Sequence, residues 1–187
     1  MQVETLDSRH LSAEDALAIG RLIVKVWPKP DKDEVFRQKQ MLTMGQDYQG
    51  PDSQAPRSFV IREGEHMLAH AAVIPRIIGT MQGDIAIAGL CKVCSDPNMR
   101  GQGLGELVVR GVFDLVDNGV FEFSLFQTTP RVKEFYEGLG ACVTENRFVN
   151  SLASNPRECP FWDEVHMRYP ANRDWPSGEI DLRGPGY

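Results

Sequence analysis

The sequence contains no apolar run long enough to cross a bilayer as a helix. Its longest apolar stretches, Ala69–Ile74 and Ile85–Cys91, are far shorter than the roughly 18–20 residues that a membrane span needs. The opening residues Met1–Asp7 also lack the basic and apolar regions of a secretory signal. We therefore expect a cytoplasmic protein with no membrane partner.

Positive charge is also scarce. The chain has 20 Lys and Arg residues against 26 Asp and Glu residues, which gives a formal net charge of −6. Because nucleic acids are bound by clustered Lys and Arg, this balance argues against a nucleic-acid partner. Six acidic but only three basic side chains lie from Glu158 to Tyr187. The excess of acid mildly favours a cationic substrate.

Cysteine is infrequent and poorly arranged for a metal. Of the four cysteines, only Cys91 and Cys94 have a Cys-x-x-Cys spacing, and no second such pair or spaced histidine pair completes a zinc site. Both lie in an apolar run that reads as a strand, where residues three apart point to opposite faces. We expect two buried thiols and no metal.

The order of secondary-structure patterns predicts an α/β (α+β) fold. A length of 187 residues suits one domain, which we predict over residues 1–187. Helical periodicity follows the N-cap candidate Ser12, recurs over Asp33–Met44, and later begins at Leu104 and, after the N-cap candidate Thr129, at Pro130. Strand-like runs lie at 1–6, 58–62, 67–81, 85–95, 121–126, 141–144 and 164–169, before an irregular tail.

A glycine loop lies between the strand that ends at Ser95 and the helix that begins at Leu104. Gly101, Gly103 and Gly105 let the chain turn sharply and bring main-chain N–H groups close to a ligand. The following helix adds unsatisfied N–H donors, and Arg100 adds a permanent positive charge. The pattern predicts a phosphate-binding site.

Two common phosphate-binding motifs do not fit this loop. The nucleoside-triphosphate loop needs a Gly-Lys-Ser/Thr ending, which the sequence lacks. The dinucleotide motif Gly-x-Gly-x-x-Gly begins at Gly101 but meets Glu106 where its third glycine should stand. A nicotinamide-dependent oxidoreductase is therefore a weak alternative.

A third pattern fits at every fixed position. Arg100–Gly105 matches Arg/Gln-x-x-Gly-x-Gly/Ala, and Phe135–Gly140 matches Leu/Phe-Tyr-x-x-x-Gly downstream. From Met67 to Gly140 the chain thus resembles the GNAT superfamily of N-acetyltransferases. The resemblance implies a mixed sheet of about six to seven strands with one splayed pair, flanked by about four helices.

The resemblance also implies the donor substrate, acetyl-CoA, and the residues that bind it. Main-chain groups of Val93, Cys94 and Ser95 would bind the pantetheine arm. The pyrophosphate would lie on the loop and helix start formed by Arg100, Gly101, Gln102, Gly103, Leu104, Gly105 and Glu106.

The resemblance implies a specific proton donor but leaves the proton acceptor open. Tyr136 falls on the tyrosine that in many relatives protonates the departing thiolate. Many relatives carry a glutamate base on the preceding strand, but residues 85–95 hold no carboxylate, and Cys91 stands in its place. A water relay, or a carboxylate of Asp96, Glu164 or the Tyr187 terminus, would then take the proton from the amine.

A further resemblance narrows the acceptor. Leu68–Arg76 resembles the His-Ala-Ala-Val-x-x-Arg stretch of aminoglycoside 2′-N-acetyltransferases, which implies an acceptor that is a small cationic amine. We read His70, in this stretch, as a hydrogen-bonded core histidine. The implied acceptor-binding residues are Asp31 or Asp33, Asp163 or Glu164, Gln127 and Tyr187.

Several readings stay open at this level. A polyamine acetyltransferase explains the acidic charge as well as an aminoglycoside enzyme does. An N-acyltransferase that uses a longer acyl donor, or a module that binds acyl-CoA without catalysis, also fits the loop. The resemblance makes a homodimer a reasonable expectation.

Overall fold

The computed structural model describes all 187 residues and contains four α-helices and nine β-strands. The helices are α1 (Ala13–Val26), α2 (Glu34–Thr43), α3 (Leu104–Asp117) and α4 (Pro130–Gly138). The strands are β1 (Glu4–Asp7), β2 (Arg57–Glu63), β3 (His66–Thr80), β4 (Gly83–Ser95), β5 (Phe123–Thr128), β6 (Cys142–Val143), β7 (Phe148–Val149), β8 (Val165–Tyr169) and β9 (Ile180–Asp181). No helix is long and apolar enough to span a membrane.

Three helices begin where their local sequence predicts. The Ser12 hydroxyl accepts a hydrogen bond from the Asp15 amide at 3.0 Å, and Asp33 does the same for Phe36 at 2.8 Å. Each cap satisfies one of the first N–H groups, which have no partner within the helix. α4 begins at Pro130, which needs no N–H at this position, although the Thr129 side chain makes no capping bond.

The chain divides into two compact units, each built from two segments. The first unit contains Met1–Ile74 and Cys91–Val112, and the second contains Pro75–Leu90 and Phe113–Tyr187. β3, β4 and α3 contribute residues to both units. The prediction of one domain over residues 1–187 stays a prediction.

In the first unit the strand order is β1-β2-β3-β4, and β2 is antiparallel to both β1 and β3.

Two glycines of this unit allow helices to pack closely against their neighbours. A Cβ at Gly20 of α1 would lie 3.1 Å from main-chain atoms of Glu34 and Gln38, at the start of α2 and within it. A Cβ at Gly111 of α3 would lie 2.5 Å from the Phe59 ring of β2. A larger residue at Gly20 would push α1 away from α2, and one at Gly111 would push α3 away from β2.

In the second unit the strand order is β3-β4-β5-β8-β6. β4 and β5 are parallel, with a register of three residue pairs that joins Ile87–Gly89 to Phe123–Leu125. β5 and β8 are antiparallel, with a register of five residue pairs that joins Ser124–Thr128 to Val165–Tyr169. The core of this unit includes Phe113 of α3 stacked on Tyr169 of β8, with ring centroids 3.9 Å apart.

The predicted mixed sheet with about four helices is confirmed, since seven strands lie along the main path of the sheet. The predicted splayed pair of strands stays a prediction. The sequence predicted an irregular tail, but part of the tail forms a strand. β9 pairs with β7 and, at Gly79, with β3, and Leu182 beside it is buried. A strand of two residues is too short to leave a periodic pattern.

Candidate functional site

The end of β4 departs from regular strand geometry. Lys92 has a φ of 52°, a left-handed conformation that residues other than glycine rarely adopt. Its carbonyl accepts a hydrogen bond from the His70 ring at 2.9 Å. Four residues later, the Asp96 amide donates to the Leu68 carbonyl at 2.7 Å. Two hydrogen bonds to β3 thus bracket the segment Val93–Ser95.

The side chains of this segment offer little chemistry. Cys94 is buried, and burial raises the pKa of its thiol to about 12, so the thiol stays protonated at neutral pH. Cys91, on the same strand, is also buried. Val93 and Ser95 are partly exposed. No group of three or more His, Cys, Asp or Glu side chains is placed to hold a metal ion.

The glycine loop follows a short turn at Pro97–Met99 and leads directly into α3. Gly101 and Gly103 have φ values of 81° and 74°. A Cβ added at either residue would meet no atom within 4 Å, so backbone conformation and not crowding requires glycine here. The Gly103 carbonyl accepts the first bond of α3, from the Leu107 amide at 3.1 Å.

The start of α3 is suited to an anion. The N–H groups of Leu104, Gly105 and Glu106 precede the first helical hydrogen bond and have no acceptor within the helix, and the helix dipole adds partial positive charge. Leu104 is buried and anchors the turn, while Arg100 and Gln102 are exposed. The Glu106 carboxylate lies 3.8 Å from Arg110 one turn on.

Asp96, one of the candidate bases, is engaged by its neighbours. One carboxylate oxygen lies 2.7 Å from the Lys25 ammonium, and the other accepts from the Asn98 amide at 2.9 Å. These bonds, that to Lys25 foremost, lower the pKa of the carboxyl below its usual value. A carboxylate that holds its proton so weakly is a poor base for an amine.

The second unit holds a different kind of cluster, centred on Gln127 at the end of β5. The Gln127 amide nitrogen donates to the main-chain oxygen of Tyr187 at 2.8 Å. Its amide oxygen accepts from the main-chain N–H groups of Trp162 and Asp163, both at 2.8 Å. One side chain thus joins segments that are 35 and 60 residues away in sequence.

Tyr187 is held on several sides. Its hydroxyl donates to the Leu125 carbonyl at 3.0 Å, and Phe161 packs edge-on against its ring, with centroids 5.6 Å apart. The Arg76 guanidinium lies 5.0 Å from the ring centroid, within the range of a cation–π contact. Arg76 also donates to the Pro185 carbonyl. No sequence pattern connects Arg76 with Tyr187.

The surface beside Gln127 carries the predicted acidic residues. Asp163 is partly exposed and Glu164 is exposed, next to Trp162, which is 70% exposed. His166 pairs with Gln127 across β5 and β8, and burial lowers the pKa of its imidazole. Trp162 and His166 were not predicted as site residues, because a single aromatic or histidine carries no pattern.

Tyr136 lies in α4 and is buried. Its ring packs against two phenylalanines, with its centroid 4.6 Å from that of Phe126 and 5.0 Å from that of Phe135. Asp31 and Asp33 belong to the first unit and are exposed; Asp33 caps α2 with one of its oxygens. The roles predicted for these residues stay predictions.

No protein-family model and no curated protein sequence matches the chain, but solved structures do. A GCN5-related N-acetyltransferase from Kribbella flavida is 16% identical with a TM-score of 0.57, over 76% of this chain and only 33% of that one. A GNAT-family acetyltransferase from Staphylococcus aureus MU50 is 12% identical with a TM-score of 0.59, over 89% of this chain and 98% of that one. An acyl-CoA N-acyltransferase from Pseudomonas aeruginosa is 13% identical with a TM-score of 0.55, over 89% of this chain and 97% of that one.

At these identities the likeness concerns the fold. The chain has the fold of GNAT N-acetyltransferases, as the two sequence motifs predict. The finer resemblance to aminoglycoside 2′-N-acetyltransferases stays a prediction.

Proposed function

We propose that this chain is an N-acetyltransferase that moves the acetyl group of acetyl-CoA to a primary amine. The observation that carries the proposal is the glycine loop, where left-handed Gly101 and Gly103 lead into the free N–H groups of α3. Backbone donors at a helix start, with an arginine beside them, suit a pyrophosphate. The GNAT fold supports the same reading.

The donor would bind chiefly through main-chain groups. We assign the pyrophosphate to the amides from Arg100 to Glu106, and the pantetheine arm to the main chain of Val93–Ser95. The bracketing bonds to β3 support this second assignment, because they hold the segment in one conformation. The side chains there are apolar or inert, which leaves the backbone as the binding element.

The reaction would be direct attack of a neutral amine nitrogen on the thioester carbon. An N–C bond forms, the C–S bond breaks, the sulfur gains a proton and the amine nitrogen loses one. Tyr136 is our candidate for the proton donor. For the proton acceptor we favour a water relay, Glu164 or the Tyr187 terminal carboxylate, because Asp96 is tied to Lys25.

The acceptor would be a small cationic amine of the aminoglycoside or polyamine kind. Asp163 and Glu164 supply negative charge, and the exposed Trp162 supplies an aromatic face on which a cation can rest. Gln127 fixes the main chain that carries these residues. Asp31 or Asp33 would contribute further acidic contacts, and a homodimer is part of the proposal.

Two measurements test the proposal in sequence. Calorimetric titration with CoA, with NADH as the control ligand, should detect CoA alone. Thiol release from acetyl-CoA should then rise when aminoglycosides, polyamines or simple amines are added. Absence of CoA binding would refute the proposal, and a preference for NADH would favour an oxidoreductase.

A module that binds acyl-CoA without catalysis is the second candidate. It is favoured by the absence of a carboxylate from residues 85–95 and by the ion pair that engages Asp96. CoA binding without amine-stimulated thiol release would support it. Repeating the release assay with propionyl-CoA and hexanoyl-CoA would identify a transferase of longer acyl groups.

A further inference from the structure

Lys92 is one of only two non-glycine residues in the chain with a positive φ, at 52°. It lies directly before Val93–Ser95, the segment that we assign to the pantetheine arm. A left-handed residue redirects the N–H and carbonyl groups that follow it, compared with a regular strand. The chain must therefore stabilise a conformation that lysine does not prefer.

The His70 side chain of β3 contacts the main chain of this residue. One ring nitrogen, Nδ1, lies 2.9 Å from the Lys92 carbonyl oxygen, and the other, Nε2, lies 3.1 Å from the Ser58 hydroxyl oxygen. The carbonyl can only accept, so Nδ1 carries the hydrogen and donates it, while Nε2 accepts from the hydroxyl. Both partners of the ring are thus defined.

The surroundings fix this arrangement. His70 and Ser58 are both fully buried, so neither side chain can exchange its partner for water without opening the sheet. Burial lowers the pKa of His70 to about 4, which keeps the ring neutral at pH 7 and preserves one donor and one acceptor. The structure gives His70 no exposed atom with which to act as a catalyst.

We propose that His70 is a positioning residue for the acyl donor, which holds the Lys92 peptide left-handed so that the main chain of Val93–Ser95 faces the pantetheine arm. This inference rests on the proposed function. It adds to the sequence prediction of a core histidine a specific task in donor binding.

The test separates positioning from simple stability. His70→Leu removes the donor at similar volume and should weaken CoA binding by roughly tenfold, the order expected when one residue must adopt a left-handed conformation unaided. Lys92→Gly removes the conformational penalty, since glycine adopts positive φ freely. In the Lys92→Gly background, His70→Leu should therefore weaken CoA binding by less than about threefold. Calorimetry measures affinity without turnover.

Thermal unfolding supplies the control, because loss of the buried hydrogen bonds should lower the melting temperature of His70→Leu in both backgrounds. Equal losses of affinity in both backgrounds, or unchanged affinity in the single variant, would overturn the inference. His70→Asn, whose amide can replace the Nδ1 donor, should retain near wild-type affinity for CoA. This variant is measured in place of His70→Leu if His70→Leu does not fold. Wild-type protein that binds no CoA would refute the proposed function itself.

Discussion

The glycine loop of the first unit and the Gln127 cluster of the second unit are organised in different ways. In the first, unusual backbone conformations at Lys92, Gly101 and Gly103 direct main-chain groups. In the second, a single amide side chain joins Tyr187, Trp162 and Asp163. The proposed function would then have a division of labour, with the donor held by main-chain groups and the acceptor held by side chains.

This difference affects how each region responds to mutation. A site formed by main-chain groups tolerates changes of most side chains, but it does not tolerate a substitution that disfavours the φ angle the site requires. A side-chain-built site fails when one hydrogen-bonding group is removed. Variants in each region should therefore alter one binding step and spare the other.

The largest effect should come from Tyr136→Phe in the second unit. Loss of a general acid typically costs about 10²–10⁴-fold in rate, and the aromatic packing against Phe126 and Phe135 is retained. Turnover should fall while the calorimetric affinity for CoA stays within about twofold of wild type. Tyr169→Phe is the matched control, because it removes another hydroxyl, one bonded to Asp117. Equal turnover of both variants would remove Tyr136 from the mechanism.

The next effect concerns acid stability and His70 in the first unit. Its folded pKa of about 4 lies below the unfolded value of about 6.5. Between these values the unfolded chain binds a proton that the folded chain does not, so stability falls as pH drops from about 6.5 towards 4. The loss reaches about 3 kcal/mol.

Urea unfolding at several pH values measures this loss. Wild type should be less stable at pH 4.5 than at pH 7, and His70→Asn should lack most of that difference. His166 of the second unit is only partly buried, so His166→Asn should reduce the pH dependence less. An equal change in both variants would show that burial does not separate the two histidines.

A smaller effect should follow from alanine in the glycine loop. Gly101→Ala and Gly103→Ala place a side chain at positive φ, which costs about 1–2 kcal/mol, or about 5–30-fold in CoA affinity. No steric clash adds to this cost. Gly64→Ala is the matched control, because Gly64 also has a positive φ and open space, in the turn between β2 and β3. CoA affinity that falls equally in Gly64→Ala would contradict a local role of the loop.

The smallest effect should come from Gln127→Ala. The main chain of Trp162 and Asp163 would lose its shared acceptor, so the KM for the amine should rise by roughly tenfold, which corresponds to about one charge-neutral hydrogen bond. CoA affinity should not change. Trp162 fluorescence reports the loosened segment, and Gln82→Ala, on an exposed turn, is the control. A weakened affinity for CoA would break the proposed division of labour.

Local sequence signals predicted most of the fold. Ser12 marked a helix start because a cap acts on amides two or three residues away. The loop glycines marked positive φ for an equally local reason. β7 and β9 were missed because two-residue strands depend on partners elsewhere in the chain.

The candidate site was less predictable in its side chains. Gln127 was predicted as a polar contact, but its three hydrogen bonds were not, since they join distant segments. Asp96 was a candidate base until the structure placed Lys25 against it, 71 residues away in sequence. Such pairings depend on tertiary geometry, and no spacing rule encodes them.

By itself the sequence determined the features that act over one or two turns of chain, which are the strand–loop–helix order, the helix caps and the glycines that permit left-handed turns. These are local because steric limits on φ and short-range hydrogen bonds involve only near neighbours. Tertiary structure decided the rest. It placed His70 and Ser58 against Lys92, and Gln127 against Tyr187, because hydrogen bonds between residues far apart in sequence form only once the sheet brings the strands together.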